Sequence, residues 1–210
     1  MDWLSDWRIQ ARIARMNGVI PITLGMVKSF ILPGERSVLV DTGTPRTAGK
    51  ILAGLERHGV KSNRVSLVLI THTHMDHIGN LGELRKTISA PIAVHRLDAE
   101  SLRQGAGVEP DVIVEADLDL RQYGVAARAV WTPGHTRGSL SVITESGEAI
   151  VGDLVFPRFM AFGPPAIAFW AASREDSLAS IRRVIDLKPS IIHTSHGGPY
   201  RPEAVARLVR

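Results

Sequence analysis

The stretch that most limits what this chain can fold into is Leu69-Ile70-Thr71-His72-Thr73-His74-Met75-Asp76-His77-Ile78-Gly79, which sets three histidines and an aspartate within six positions. An apolar, β-branched segment from Val65 to Ile70 leads into it, so a buried strand should end where the imidazoles begin. Side chains two apart on an extended strand share a face, and His72 and His74 should therefore project to the same side. A turn at Met75 would bring Asp76 and His77 around to a neighbouring position, adding one hard oxygen and one nitrogen. Core packing has no use for such a cluster, whereas a metal does.

The rest of the chain suits a compact domain. With 210 residues, 44% apolar and 22% charged, it can bury a stable core, and no apolar run has the length of a membrane span. The N-terminus, Met1-Asp2-Trp3-Leu4-Ser5-Asp6, is acidic and aromatic where a secretory signal would be basic and then apolar, so a cytoplasmic protein is expected. There is no cysteine, hence neither a disulfide nor a thiolate ligand, and any zinc must be held by histidine and carboxylate. The net charge of +4 comes from scattered arginines without the clustered basic stripe of a nucleic-acid surface. No nucleic-acid partner is expected.

Read in order, Trp3, Leu4, Trp7, Ala11 and Ala14 repeat at helical spacing and mark residues 1–17 as an N-terminal helix docked on its own core. A meander follows at Val19 to Leu24, Met26 to Leu32 and Ser37 to Val40, the last delivering Asp41. A helix should run from Pro45 to His58 and another from Ile78 to Thr87, with a strand at Pro91 to Val94 ending at His95, which reads as structural. Near residue 120 a second half begins. It brings a strand at Val125 to Trp131, a turn with His135, and a hairpin whose second strand delivers Asp153. Residues 155–172 are apolar, aromatic and proline-broken and fit neither a regular helix nor a strand. A helix from Ser173 to Leu187, with Ser173 as its N-cap, precedes a final strand that delivers Ser195 and His196, and a last helix runs from Pro202 to Val209.

Five strand ends thus carry polar groups into loops. His72, His74 and His135 suffice for one metal, and Asp76, His77 and His196 for a second, with Asp153 between them and room for a water. These motifs, Asp41, His72-x-His74-x-Asp76-His77, Gly134-His135-Thr136-Arg137-Gly138-Ser139, Gly152-Asp153 and His196-Gly197-Gly198, span residues 41–198. In that order they resemble the metallo-β-lactamase-fold hydrolase superfamily. The resemblance implies one α/β domain over 1–210, a four-layer αβ/βα sandwich of two pseudo-equivalent halves with a dinuclear site where they meet. It implies that Asp41 supports the metal loops without binding metal, and Thr71 and Ser139 are expected to hydrogen-bond around the ligands, as is Ser195. The cysteine-ligand lactamases are excluded, flavodiiron relatives with a glutamate at the His74 position are disfavoured, and glyoxalase II-like and ribonuclease-type relatives carry further segments. A glyoxalase II-like or lactonase-like branch remains.

The expected chemistry is hydrolysis of an ester, lactone or thioester in a small-molecule substrate by a hydroxide that bridges two divalent ions, with Asp76 orienting it. Zinc is the favoured metal, with iron and manganese as alternatives. The rival reading is a mononuclear iron oxygenase resembling sulfur dioxygenases; a phosphodiesterase or β-lactamase stands further back. Phe156, Phe159, Met160, Phe162, Phe169 and Trp170 are expected to read substrate shape, the alternative for this loop being a homodimer contact or a plug in the core.

Overall fold

The computed structural model describes residues 18–159 and 162–210; the expected N-terminal helix and Met160 lie outside the described residues. Strands β1 (Ile20–Thr23), β2 (Lys28–Leu32), β3 (Ser37–Val40), β4 (Val65–Leu69), β5 (Ile92–His95) and β6 (Val112–Val114) form one sheet in sequence order. Pairing is antiparallel up to β3 and parallel from β3 to β6. Strands β7 (Leu118–Asp119), β8 (Ala127–Trp131), β9 (Leu140–Thr144) and β10 (Glu148–Ile150) form a second, antiparallel sheet. A separate hairpin, β11 (Phe156–Phe159) with β12 (Phe162–Ala166), follows, and β13 (Ile191–His193) returns to lie parallel to β10. The chain passes from one sheet to the other between Val114 and Leu118.

Period-two alternation makes this a sandwich. In β2 and β3, Phe30, Leu32, Val38 and Val40 face the second sheet, while Ile31 and Leu39 face the outer helices. In the second sheet Ala127, Ala129, Val142 and Ile150 point inward and Val130, Ile143 and Ala149 outward. Both faces of both sheets are therefore apolar, and helices must cover the outer two. Helices α1 (Ala48–Arg57), α3 (Leu81–Leu84) and α4 (Ala99–Ala106) close the first sheet through Ile51, Leu55, Leu81, Leu84 and Leu102. Helices α5 (Arg174–Asp186) and α6 (Pro202–Ala206) close the second through Ile181, Val184 and Val205. The result is the αβ/βα four-layer fold. Among the described residues no helix is long and apolar enough to cross a membrane.

Two expectations fail here. Instead of one helix from Ile78 to Thr87 there are two single turns, α2 (Met75–Ile78) and α3, parted at Gly79 and Asn80. A Cβ on Gly79 would sit 2.4 Å from Pro45 Cδ, and the Asn80 amide donates to Thr44 O at 2.7 Å while accepting from Thr47 N at 3.1 Å. Binding the loop at 42–47 outweighs helix continuity. Residues 155–172 were expected to be irregular, yet their first part is the β11–β12 hairpin. Pro157 and Pro165 pair across it, which a two-stranded ribbon tolerates because half its backbone groups face outward. Helix α5 matches expectation, with Ser173 Oγ accepting from Asp176 N at 3.1 Å.

Candidate metal centre

Strands β3 and β4 run parallel, and β8, β10 and β13 share one direction in the other sheet, so their C-terminal ends open at one rim of the sandwich. Asp41, the 72–77 loop, His135, Asp153 and His196 follow those five ends. His72, His77, His135, Asp153 and His196 are buried, Asp76 is part-exposed and His74 is exposed.

In the first corner His135 Nε2 lies 3.1 Å from His72 Nε2 and 2.9 Å from His74 Nδ1. A proton on one nitrogen serves one such contact and leaves the others lone pair against lone pair, whereas ligands around tetrahedral zinc stand about 3.3 Å apart. In the second corner His196 Nε2 is 3.1 Å from Asp76 Oδ2, and His77 Nε2 is 4.0 Å from that oxygen. Asp153 sits between the corners: Oδ2 is 3.7 Å from His135 Nε2 and 3.5 Å from His196 Nε2, and Oδ1 is 3.6 Å from His77 Nε2. Both His77 Nε2 and Asp153 Oδ1 are buried without a hydrogen-bond partner. Orphaned polar atoms of this kind are costly unless a cation faces them, so the residues fit a metal.

The charge distribution agrees. Burial, reinforced by His77 and His135, pushes His72 well below its ordinary value, and burial takes His135 down to about 4 despite Asp153. Burial would raise Asp76, but the hydrogen bond from His196 and the charge of His77 hold it below the usual carboxylate range. Burial would likewise raise Asp153, and His77 holds it down. Burial acts to lower His77, yet Asp41 and Asp153 raise it well above its ordinary value. In the first corner His72 and His135 are held as neutral imidazoles, and the second presents carboxylates that demand positive charge.

The ring nitrogens turned away from the centre are fixed by the scaffold. Asp41 Oδ1 accepts from Thr71 N at 2.8 Å, and its Oδ2 from Thr71 Oγ1 at 2.7 Å and His77 Nδ1 at 2.8 Å. Since the Thr71 proton goes to Asp41, its oxygen accepts from His72 Nδ1 at 3.2 Å, leaving Nε2 of both histidines free for a metal.

A sequence model of the metallo-beta-lactamase superfamily matches residues 22–196. The chain belongs to that superfamily. It is similar to a probable metallo-hydrolase of Methanocaldococcus jannaschii, 30% identical over 61% of this chain and 66% of the relative. It is also similar to metallo-beta-lactamase domain-containing protein 1 of Mus musculus, 32% identical over 88% of this chain and 68% of the relative, so it spans about two thirds of the length of both. Among solved structures it resembles TTHA1623 in a di-iron-bound form, with TM-score 0.69 and 26% identity over 90% of this chain and 98% of that one.

Several residues of this superfamily member escaped sequence reasoning. His196 Nδ1 donates to the Met26 carbonyl at 2.9 Å, a contact across 170 positions with no local trace. Asp98 accepts from Gly138 N at 2.9 Å and Thr136 Oγ1 at 2.7 Å, bracing the His135 turn from the first half. Ser139 Oγ accepts from Thr136 N at 2.9 Å within that turn, whereas Ser195 Oγ is buried with no partner, contrary to expectation. His95 is structural, stacked on Trp131 at 5.2 Å. Of the aromatic residues expected near substrate, Phe156 and Trp170 line the cavity over the cluster with Met26; Phe159, Phe162 and Phe169 are exposed beyond it.

Proposed function

We propose that this protein hydrolyses an ester, lactone or thioester in a small-molecule substrate at a dinuclear centre. As a superfamily member it is a metal-dependent hydrolase; bond type, metal number and metal identity belong to this proposal. The observation that carries it is the paired arrangement: three imidazole nitrogens converge in one corner, Asp76, His77 and His196 meet in the other, and Asp153 stands within 4.0 Å of both. His72, His74 and His135 would hold one ion, Asp76, His77 and His196 the other, and Asp153 would serve both. Bound ions supply Lewis acidity and a water of lowered pKa.

Asp76 is the cluster carboxylate with appreciable exposure, its side chain 32% accessible against 4% for Asp153, so it meets the substrate side. Held below the usual carboxylate range, it remains an acceptor at neutral pH and orients a nucleophilic water rather than storing its proton. Phe156, buried against the His196 ring at 4.7 Å, keeps bulk water from that side. Zinc suits the nitrogen-rich set, and the di-iron form of TTHA1623 makes iron the second candidate.

Elemental analysis of protein purified without added metal should return close to two zinc or iron ions per chain, and a panel of esters, lactones, thioesters and phosphodiesters should show turnover in the first three groups. Asp76→Ala should lower that turnover by about a thousandfold. One iron per chain with thiol-dependent oxygen uptake would overturn the hydrolase reading.

A further inference from the structure

We propose that the site takes an uncharged acyl group with a linear apolar tail, seated between Met26 and Trp170 and running outward over Phe169; this rests on the hydrolase reading above. The cavity over the cluster, about 240 Å³, is lined by His74, Asp76, Asp153 and His196 and otherwise by Met26, Phe156 and Trp170. Among the described residues every wall outside the cluster is apolar and no lysine or arginine lines it; the Lys28 ammonium donates to the Gly197 carbonyl. Outward of the cluster the described lining therefore offers a substrate carboxylate no cationic partner.

From the cluster an aromatic row leads to the surface. Phe156 stands 4.7 Å from the His196 ring, Trp170 is 5.1 Å from Phe156 and Phe169 is 4.6 Å from Trp170, centroid to centroid. Exposure climbs along the row from 5% at Phe156 to 39% at Trp170 and 94% at Phe169. Met26, 69% exposed, stands at the same cavity. Single exposed apolar side chains are ordinary, but the three rings are in contact in turn and Phe156, Trp170 and Met26 line the cavity, so the occupant they fit enters through it. A straight alkyl chain suits a row that begins buried at Phe156 and ends exposed at Phe169.

The test is calorimetric titration of metal-loaded protein with n-alkyl hydroxamates from acetyl to octanoyl, whose binding does not depend on hydrolysis. Kd should fall about threefold for each methylene added beyond butanoyl. A terminal carboxylate on the octanoyl probe should abolish that gain. Trp170→Ala should flatten the whole series, and Phe169→Ala, at a position outside the core, only its longer members. A Kd independent of length, tighter binding of the charged probe, or a slope unchanged in Trp170→Ala would overturn the proposal. A slope in a protein inactive on every ester would keep the tail site and sink the hydrolase reading; ester turnover without a slope would do the reverse.

Discussion

Asp41 and Asp98 are buried carboxylates that brace the two halves of the metal centre, and they differ in reach. Asp41 grips the 71–77 loop through three donors, one of them the ring of the candidate ligand His77, and through Thr71 it also sets His72. Asp98 grips the backbone and hydroxyl of the 136–138 turn and touches no candidate ligand. Gly138 allows that approach, since a Cβ there would lie 2.6 Å from the Asp98 carboxylate. The first half therefore presents its ligands as one rigid unit, while the second places His135, Asp153 and His196 singly from three loops. Rigidity in this centre is concentrated where the ligands are contiguous.

The sharpest way to break this contrast is Asp41→Asn. Asp41 holds a left-handed backbone at φ 60°, which asparagine also accepts, so the change isolates the side chain. Whichever way the amide is set, one of its donors faces the Thr71 or His77 donors. Metal affinity, read by chelator competition, should fall about 10- to 100-fold; unchanged affinity would remove Asp41 from this role. Asp98→Asn should act more weakly, by less than about tenfold. Its oxygen can keep the Gly138 bond while the Thr136 hydroxyl turns its proton to Ser139 Oγ, 2.8 Å away. A larger loss than in Asp41→Asn would reverse the ranking of the two braces.

The smallest effect lies in acid. Burial raises the Asp98 carboxyl above its ordinary 3.8, more than Thr136 and Gly138 lower it. The folded chain thus holds this proton more tightly than the unfolded one. The resulting stability is complete below about pH 3.8 and is lost as pH rises through the folded value. Asp98→Asn carries no such proton, so the stability of the variant relative to the parent should improve across that interval and be flat above it. Denaturant titrations at a series of pH values read this directly, and a constant difference throughout would show that burial does not raise the Asp98 carboxyl.

Much of the centre was legible along the chain because its signals are local. The apolar run into His72, the capped helix at Ser173 and the strand ending at Asp41 each rest on spacing within a few residues. Where a distant contact outweighed the local pattern, legibility failed. Asn80 broke the expected helix by bonding the loop at 42–47, and the prolines that obscured β11 and β12 are acceptable only because that hairpin stands apart from both main sheets. Of the five described residues that composition marked in the aromatic segment, the packing selected Phe156 and Trp170 for the cavity and added Met26 from another hairpin.

By itself, then, the sequence determined the kind of ligands and the contiguous half of the site, since residue type and short-range spacing already decide which atoms a strand end and the turn after it can present. Only the tertiary structure decided that the Met26 carbonyl aims His196 and that Asp98 braces the turn of His135. Those relations depend on how two sheets stack and which loops meet at their rim, distances set by the packing of side chains far apart in the chain.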